Sequence, residues 1–187
     1  MLFFRHRNNT DCHPNDLILK LSDCDTRIKC GQMGNPSEIY DLLATLNNNL
    51  MLRYERKESD GIFSRSQTLF DMTDLPDLTN SVHKWPSFLV FSNGGIERKI
   101  KGLIDWRTKG FNDTILEGKF KLVGVIFHIH LSHYTCIFQI EDKLFYYDDM
   151  SSEYASQINK SFKDIENEVF QDNIVKQPAM YFYTSFN

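Results

Sequence analysis

One stretch of this 187-residue chain gathers side chains that can move protons. It runs His133-Tyr134-Thr135-Cys136-Ile137-Phe138-Gln139-Ile140, then Glu141-Asp142, then Lys143 to Asp148 and Asp149. With Glu141-Asp142 as a two-residue hairpin loop, Thr135 faces Asp148 and Tyr134 faces Asp149. His133 shares a face with Thr135, because side chains alternate along a strand. Asp148 is then its diagonal neighbour, about 7–8 Å away between backbones and within side-chain reach. A carboxylate placed there fixes the imidazole tautomer and stabilises the imidazolium, which is what a general base needs. A three-residue loop would flip the parity and favour Asp149, so the turn decides between the two.

Such a pair needs a nucleophile, and the chain has four cysteines: Cys12, Cys24, Cys30 and Cys136. No two of them form a C-x-x-C pair, so a zinc ribbon has no support and no structural metal is expected. No export signal is visible at the start, Met-Leu-Phe-Phe-Arg-His-Arg, so reduced thiols inside a cell, in cytoplasm or nucleus, are the expectation. Cys136 lies three residues along the strand from His133 and points to the other face. Cys24 sits in a polar loop, and Cys30 precedes the nearest helix by five residues. Cys12 is the best candidate. It stands just before a short helix predicted to start at Pro14, where the positive helix end lowers a thiol pKa.

Composition narrows the partners. Lys plus Arg is 21 against 25 for Asp plus Glu, a net charge of -4, which argues against a nucleic-acid partner. The longest apolar stretch, Leu122 to Leu131, contains two histidines and is about half of a membrane span, so no membrane anchoring is expected. Aromatics at 13% suit a sheet-rich fold of one domain.

The elements that must position these residues read as helices first and sheet second, an α+β pattern. A short helix is predicted over 14–21 and a polar loop over 22–34. Asn35 as N-cap, Pro36 at N1 and Glu38 at N3 open a helix running to Leu50, with Ile39, Leu42, Leu43, Leu46 and Leu50 as its apolar stripe. The Asn47-Asn48-Asn49 run carries no weight in this reading. Residues 53–84 are charged and punctuated, with weak strand signal from Gly61 to Phe70. Strands follow at Ser87–Phe91, Ile96–Ile100, Leu103–Trp106, Phe120–His128, His133–Ile140 and Lys143–Asp148. Six short strands so close together predict an antiparallel meander. Ser151 to Phe170 reads as a helix with Ile158, Phe162, Ile165 and Val169 on one face, and Met180–Tyr183 as a last strand.

Several of these segments resemble the ubiquitin-specific proteases. Phe120 to His128 followed by His133-Tyr134-Thr135 is similar to that family's histidine box, "Y-x-L-x-x-V-I-x-H" running into "G-H-Y-x-A". Leu144 to Asp149 resembles its "W-x-x-F-D-D" segment, Trp85 to Val90 its "L-P-x-x-L-x-I" strand, and Ala179 to Tyr183 its closing "A-Y-x-L-x-Y" strand. Order and spacing agree from Trp85 to Tyr183. Asn9-Thr10-Asp11-Cys12-His13-Pro14-Asn15 resembles the "G-N-T-C-Y-x-N" box with Asp11 inserted, and Glu38 matches the acid of the "Q-D-A-x-E-F" helix.

The resemblance implies a papain-like cysteine protease fold, with an N-terminal helical part packed on a C-terminal antiparallel sheet. It divides the chain into 1–52 (helical part), 53–84 (reduced fingers or connector) and 85–187 (sheet with histidine box). It implies a deubiquitinating isopeptidase that cuts after the C-terminal glycine of ubiquitin, with ubiquitin and its conjugates as partners. Cys12 would be the nucleophile, His133 the base and Asp148 its orienting partner, with Asn8 or Asn9 near the oxyanion. His128 matches a further histidine of the box and is expected to be structural. No cofactor is required. The alternatives are an inactive ubiquitin-binding module of the same fold, or an isopeptidase for a ubiquitin-like modifier such as SUMO. The chain departs from the family at Ser132, where glycine is usual, in a short loop from His128 to His133, and in lacking the paired cysteines of the fingers.

Overall fold

A computed structural model of the chain describes residue 23 and residues 35–93, 113–129, 133–148, 150–151, 154–165 and 176–185. The helix predicted over 14–21 and the strands over 96–100 and 103–106 lie outside those residues. Within them the chain is mixed α/β, mostly strand with a few short helices, consistent with α+β.

Helix α1 (Pro36–Leu46) starts where its cap requires. Asn35 Oδ1 accepts the Ser37 N–H at 3.0 Å, and Pro36 occupies the first turn, where no N–H partner is needed. The helix is shorter than expected. Asn47 takes an extended conformation, and its side chain accepts the Asn49 N–H at 3.1 Å, starting a separate 3-10 turn at Asn48–Leu50. The asparagine run therefore ends α1, through the same side-chain competition that makes Asn a capping residue. The expected apolar stripe is not the face that meets the main core. Tyr40 and Ala44, which lie outside it, join that core, while Leu43 gathers Ile39, Leu42 and Leu50 into a satellite cluster. Leu46 stays 57% exposed. Tyr40 meets Phe182 edge-on, ring centroids 6.2 Å apart, and its hydroxyl donates to the Leu50 carbonyl at 3.1 Å. Burial pushes that phenol up to about 12, with the Asp41 charge adding to it, so it remains a donor.

The 53–84 segment is more ordered than its sequence suggests. Strands β1 (Leu52–Glu58) and β2 (Gly61–Gln67) form a hairpin, and β4 (Val82–Lys84) pairs with β1 to complete a small sheet in the order β2-β1-β4. Between them lie β3 (Phe70–Asp71) and helix α2 (Leu75–Ser81). The strand signal from Gly61 to Phe70 is weak because β2 has no buried face and shows none of the alternation that marks a half-buried strand, and β1 is a strand where the sequence carries no such signal.

The larger sheet has eight strands among the described residues. These are β3, β5 (Phe88–Ser92), β6 (Thr114–Ile115), β7 (Phe120–Ile129), β8 (His133–Ile140), β9 (Lys143–Tyr147), β10 (Ser156–Ile158) and β11 (Lys176–Ser185). The order is β10-β9-β8-β7-β11-β5-β3, with β6 paired to β7. A plain meander is thus corrected. The run from β7 to β10 is one, but β11 inserts antiparallel between β7 and β5, and β3 joins β5 in parallel. A strand buried on both faces belongs in the middle of a sheet. Met180, Tyr181 and Tyr183 of β11 are all buried, and so are Leu89, Val90 and Phe91 beside them.

The helix expected from Ser151 is also corrected. Ser156–Ile158 is strand β10, paired to β9. Helical residues begin at Phe162, set by a reciprocal capping box. The Ser161 N–H donates to Asp164 Oδ2 at 2.8 Å, and the Asp164 N–H returns to Ser161 Oγ at 3.2 Å. Phe162 and Ile165 of the predicted face are buried in the core; Val169 lies outside the described residues.

Candidate functional site

The β8–β9 hairpin is built as its loop dictates. Ile140 pairs with Lys143 and Cys136 with Tyr147, so Glu141-Asp142 is a two-residue loop, and Glu141 takes the positive φ of 56° that tight hairpin turns use. The same register continued one step sets Asp148 across from Thr135. His133 opens β8, where it pairs with Ile129 of β7.

The two side chains meet. His133 Nε2 lies 2.7 Å from Asp148 Oδ1, and the side chains are 18% and 17% exposed. Asp148 is itself held. Its Oδ1 also accepts the Met150 backbone N–H at 3.0 Å, and its Oδ2 accepts the Tyr146 hydroxyl at 3.2 Å. The Ser151 N–H and hydroxyl both donate to the Asp148 carbonyl at 3.2 Å, tightening the turn that follows β9. Burial alone would raise the Asp148 pKa. The His133 and Met150 hydrogen bonds, the His133 charge and the Tyr146 hydroxyl outweigh it and hold the carboxyl below its usual range.

Tyr146 is a site residue that the sequence reading missed. Its signal was present: it stands two residues before Asp148, and the strand period of two carried one step past β9 puts both on the same face. Burial raises its phenol first, and the Asp148 charge adds to that, so it stays protonated as a donor. Thr135 is 2% exposed on this face. Its Oγ1 has no hydrogen-bond partner of good geometry, although it lies near enough to the Tyr146 hydroxyl to act against that rise.

The opposite face is different. Tyr134 rests against the His128 ring, centroids 4.7 Å apart and tilted by 37°. Burial raises the Tyr134 phenol, and the Glu38 charge adds to this. Cys136 is buried on this face, across from Ile126 and Tyr147, and turned away from His133. The other candidates, Cys12, Cys24, Cys30, Asn8 and Asn9, lie outside the described residues, as does Asp149. Among the described residues no three His, Cys, Asp or Glu side chains group to hold a metal ion, and no helix is long and apolar enough to cross a membrane. A groove of about 750 Å³ opens at the far end of the hairpin, lined by Gln139, Lys143, Lys160 and Asp164 among others, and does not include His133 or Asp148.

An imidazole held through one nitrogen by an ionised carboxylate can take and return a proton through the other. The geometry therefore equips the site for general acid–base work. No protein-family model matches the chain, and no curated protein matches it significantly.

Proposed function

We propose that this chain is a cysteine-type isopeptidase of the ubiquitin-specific protease kind, papain-like in fold, acting on ubiquitin conjugates. The observation that carries the reading is the 2.7 Å contact between His133 and an Asp148 fixed by two further donors. Support also comes from the segments in family order between Trp85 and Tyr183, and from α1 packing on the sheet through Tyr40 and Phe182.

In this mechanism Asp148 engages Nε2, so proton transfer falls to Nδ1 of His133. Nδ1 takes the proton of the Cys12 thiol, and the thiolate attacks the carbonyl carbon of the terminal glycine. Backbone N–H groups near Cys12, with Asn8 or Asn9, hold the oxyanion. The imidazolium returns the proton to the leaving lysine amine, and water hydrolyses the thioester. No cofactor enters.

The test is labelling of the full chain with a ubiquitin C-terminal electrophile, followed by peptide mapping. A covalent adduct at Cys12, lost in Cys12→Ala and retained in Cys24→Ala and Cys30→Ala, is the expected result. An unlabelled chain that still binds ubiquitin would replace the enzyme with a binding module. Labelling by a SUMO electrophile in preference would change the modifier and keep the chemistry.

A further inference from the structure

The outer strands of both sheets are short, with one exception. Among the described residues β4 and β10 run three residues and β3 two, whereas β2 runs seven. Short edges are how sheets avoid joining other strands. Strand β2 lacks two other usual protections, a bulge and a proline. Its seven pairs with β1 continue without a bulge, and it contains no proline to remove a donor from the edge. Residues 61–66 are exposed, with Ile62 at 51% and Phe63 at 39%.

We infer that β2 docks a second copy of this chain, strand against strand and antiparallel, about a two-fold axis through Ser64. Full overlap of Gly61–Gln67 with itself puts Ser64 opposite Ser64, Phe63 opposite Arg65, and Ile62 opposite Ser66. The two-fold makes each of the off-axis contacts twice. Within one chain the Arg65 guanidinium carbon already lies 5.6 Å from the Phe63 ring centroid, on the face where the second Phe63 would arrive. Cross-strand pairing would extend that contact into a cluster of two rings and two guanidinium groups. Glu58 pairs with Arg65, Nε to Oε1 at 3.0 Å, so the two arginines meet already neutralised. An unrelated extended segment would find the same backbone edge but not this reciprocal match, which is why the occupant is a second copy. One strand pair buries less than the roughly 1,200–2,000 Å² of a stable interface, so the dimer forms and dissociates with concentration. The inference is independent of the proposed protease activity.

Sedimentation equilibrium of the full chain over a concentration series tests it. A monomer–dimer equilibrium is expected. Phe63→Lys sets like charges opposite Arg65 twice and weakens the dimer by about tenfold or more. The double variant Phe63→Lys, Arg65→Glu sets opposite charges there and restores association, which also shows that the single variant had not lost its fold. A wild-type chain that remains monomeric throughout, a dimer unaffected by Phe63→Lys, or a double variant that stays monomeric overturns the inference.

Discussion

The two β-hairpins of this chain share a construction and differ in surroundings. Each has a two-residue loop, Ser59-Asp60 in β1–β2 and Glu141-Asp142 in β8–β9. The first has seven backbone pairs and the second five, yet only the second sends both of its strands into the core; in the first, β1 buries Leu52 and Tyr54 and β2 buries nothing. The second lies between β7 and β10 and buries Ile137 and Leu144, and Phe138 stacks on Phe145 with centroids 5.7 Å apart. The first is flanked by β4 on one side, and its outer strand is exposed. Both carry a polar pair. Arg65 and Glu58 are 45% and 36% exposed, a surface pair of the kind worth about 0–1 kcal/mol. His133 and Asp148 are 18% and 17% exposed, and Asp148 is held by two further donors. Hairpin geometry alone gives a polar pair little meaning; burial and extra hydrogen bonds make it a tool.

The strongest way to sharpen the contrast is at Asp148. Asp148→Asn keeps the shape but loses the charge that stabilises an imidazolium, and it can present an N–H where Nε2 needs an acceptor. On the proposed mechanism kcat/KM for a ubiquitin C-terminal amide falls by about a thousandfold, with circular dichroism unchanged. A variant within a few-fold of wild type would reduce the pair to a structural tie. The next largest effect compares packing. Ile137→Ala, buried in β8 of the second hairpin, costs about 2–5 kcal/mol by urea denaturation. Ile62→Ala in β2 changes stability by no more than about 0.5 kcal/mol at concentrations where the chain is monomeric. Equal losses would mean that the two hairpins do not differ as their burial indicates.

What the sequence disclosed follows the same division. The register of β8–β9 and the meeting of His133 with Asp148 were legible, because a two-residue loop and a period of two leave no freedom in the pairing. Strands β5, β7 and β11 were legible from their apolar runs. Strand β1 was not, since Leu-Arg-Tyr-Glu-Arg-Lys-Glu is mostly charged, and β2 gave only a weak signal, since Gly-Ile-Phe-Ser-Arg-Ser-Gln has no buried face to impose alternation. The position of β11 between β7 and β5 was hidden because sheet order is set by which strand can be buried on both faces, a property of the assembled core. The capping box at Ser161 and Asp164 was present in the sequence, but the apolar spacing of Ile158 with Phe162 outweighed it and moved the helix start too early. At the site, Tyr146 shares a face with Asp148 by spacing but carries no sequence signal of a proton-exchanging group; its role is to hold Asp148, which only the folded geometry displays.

The smallest effect tests whether that holding is electrostatic. Tyr146→Phe removes the hydroxyl that donates to Asp148 Oδ2 and leaves the ring in place. At neutral pH Asp148 is ionised, and the variant is less stable by about 1 kcal/mol, the net worth of one such bond. The sign with pH follows from the direction of the Asp148 shift. Its folded pKa lies below the ordinary 3.8, so its ionised form contributes stability that is fully present above that value. The contribution is lost as pH falls through the folded pKa, in the window below 3.8. Removing a donor to the carboxylate brings the folded pKa back towards the ordinary value, so the variant has less to lose there. The stability gap between wild type and Tyr146→Phe should therefore narrow as the pH drops below 3.8. Denaturant titrations of both proteins on either side of that value measure it, with the carboxyl carbon shift of Asp148 as the direct readout. A gap that stays constant would mean that Tyr146 supports the fold without sensing the charge of Asp148.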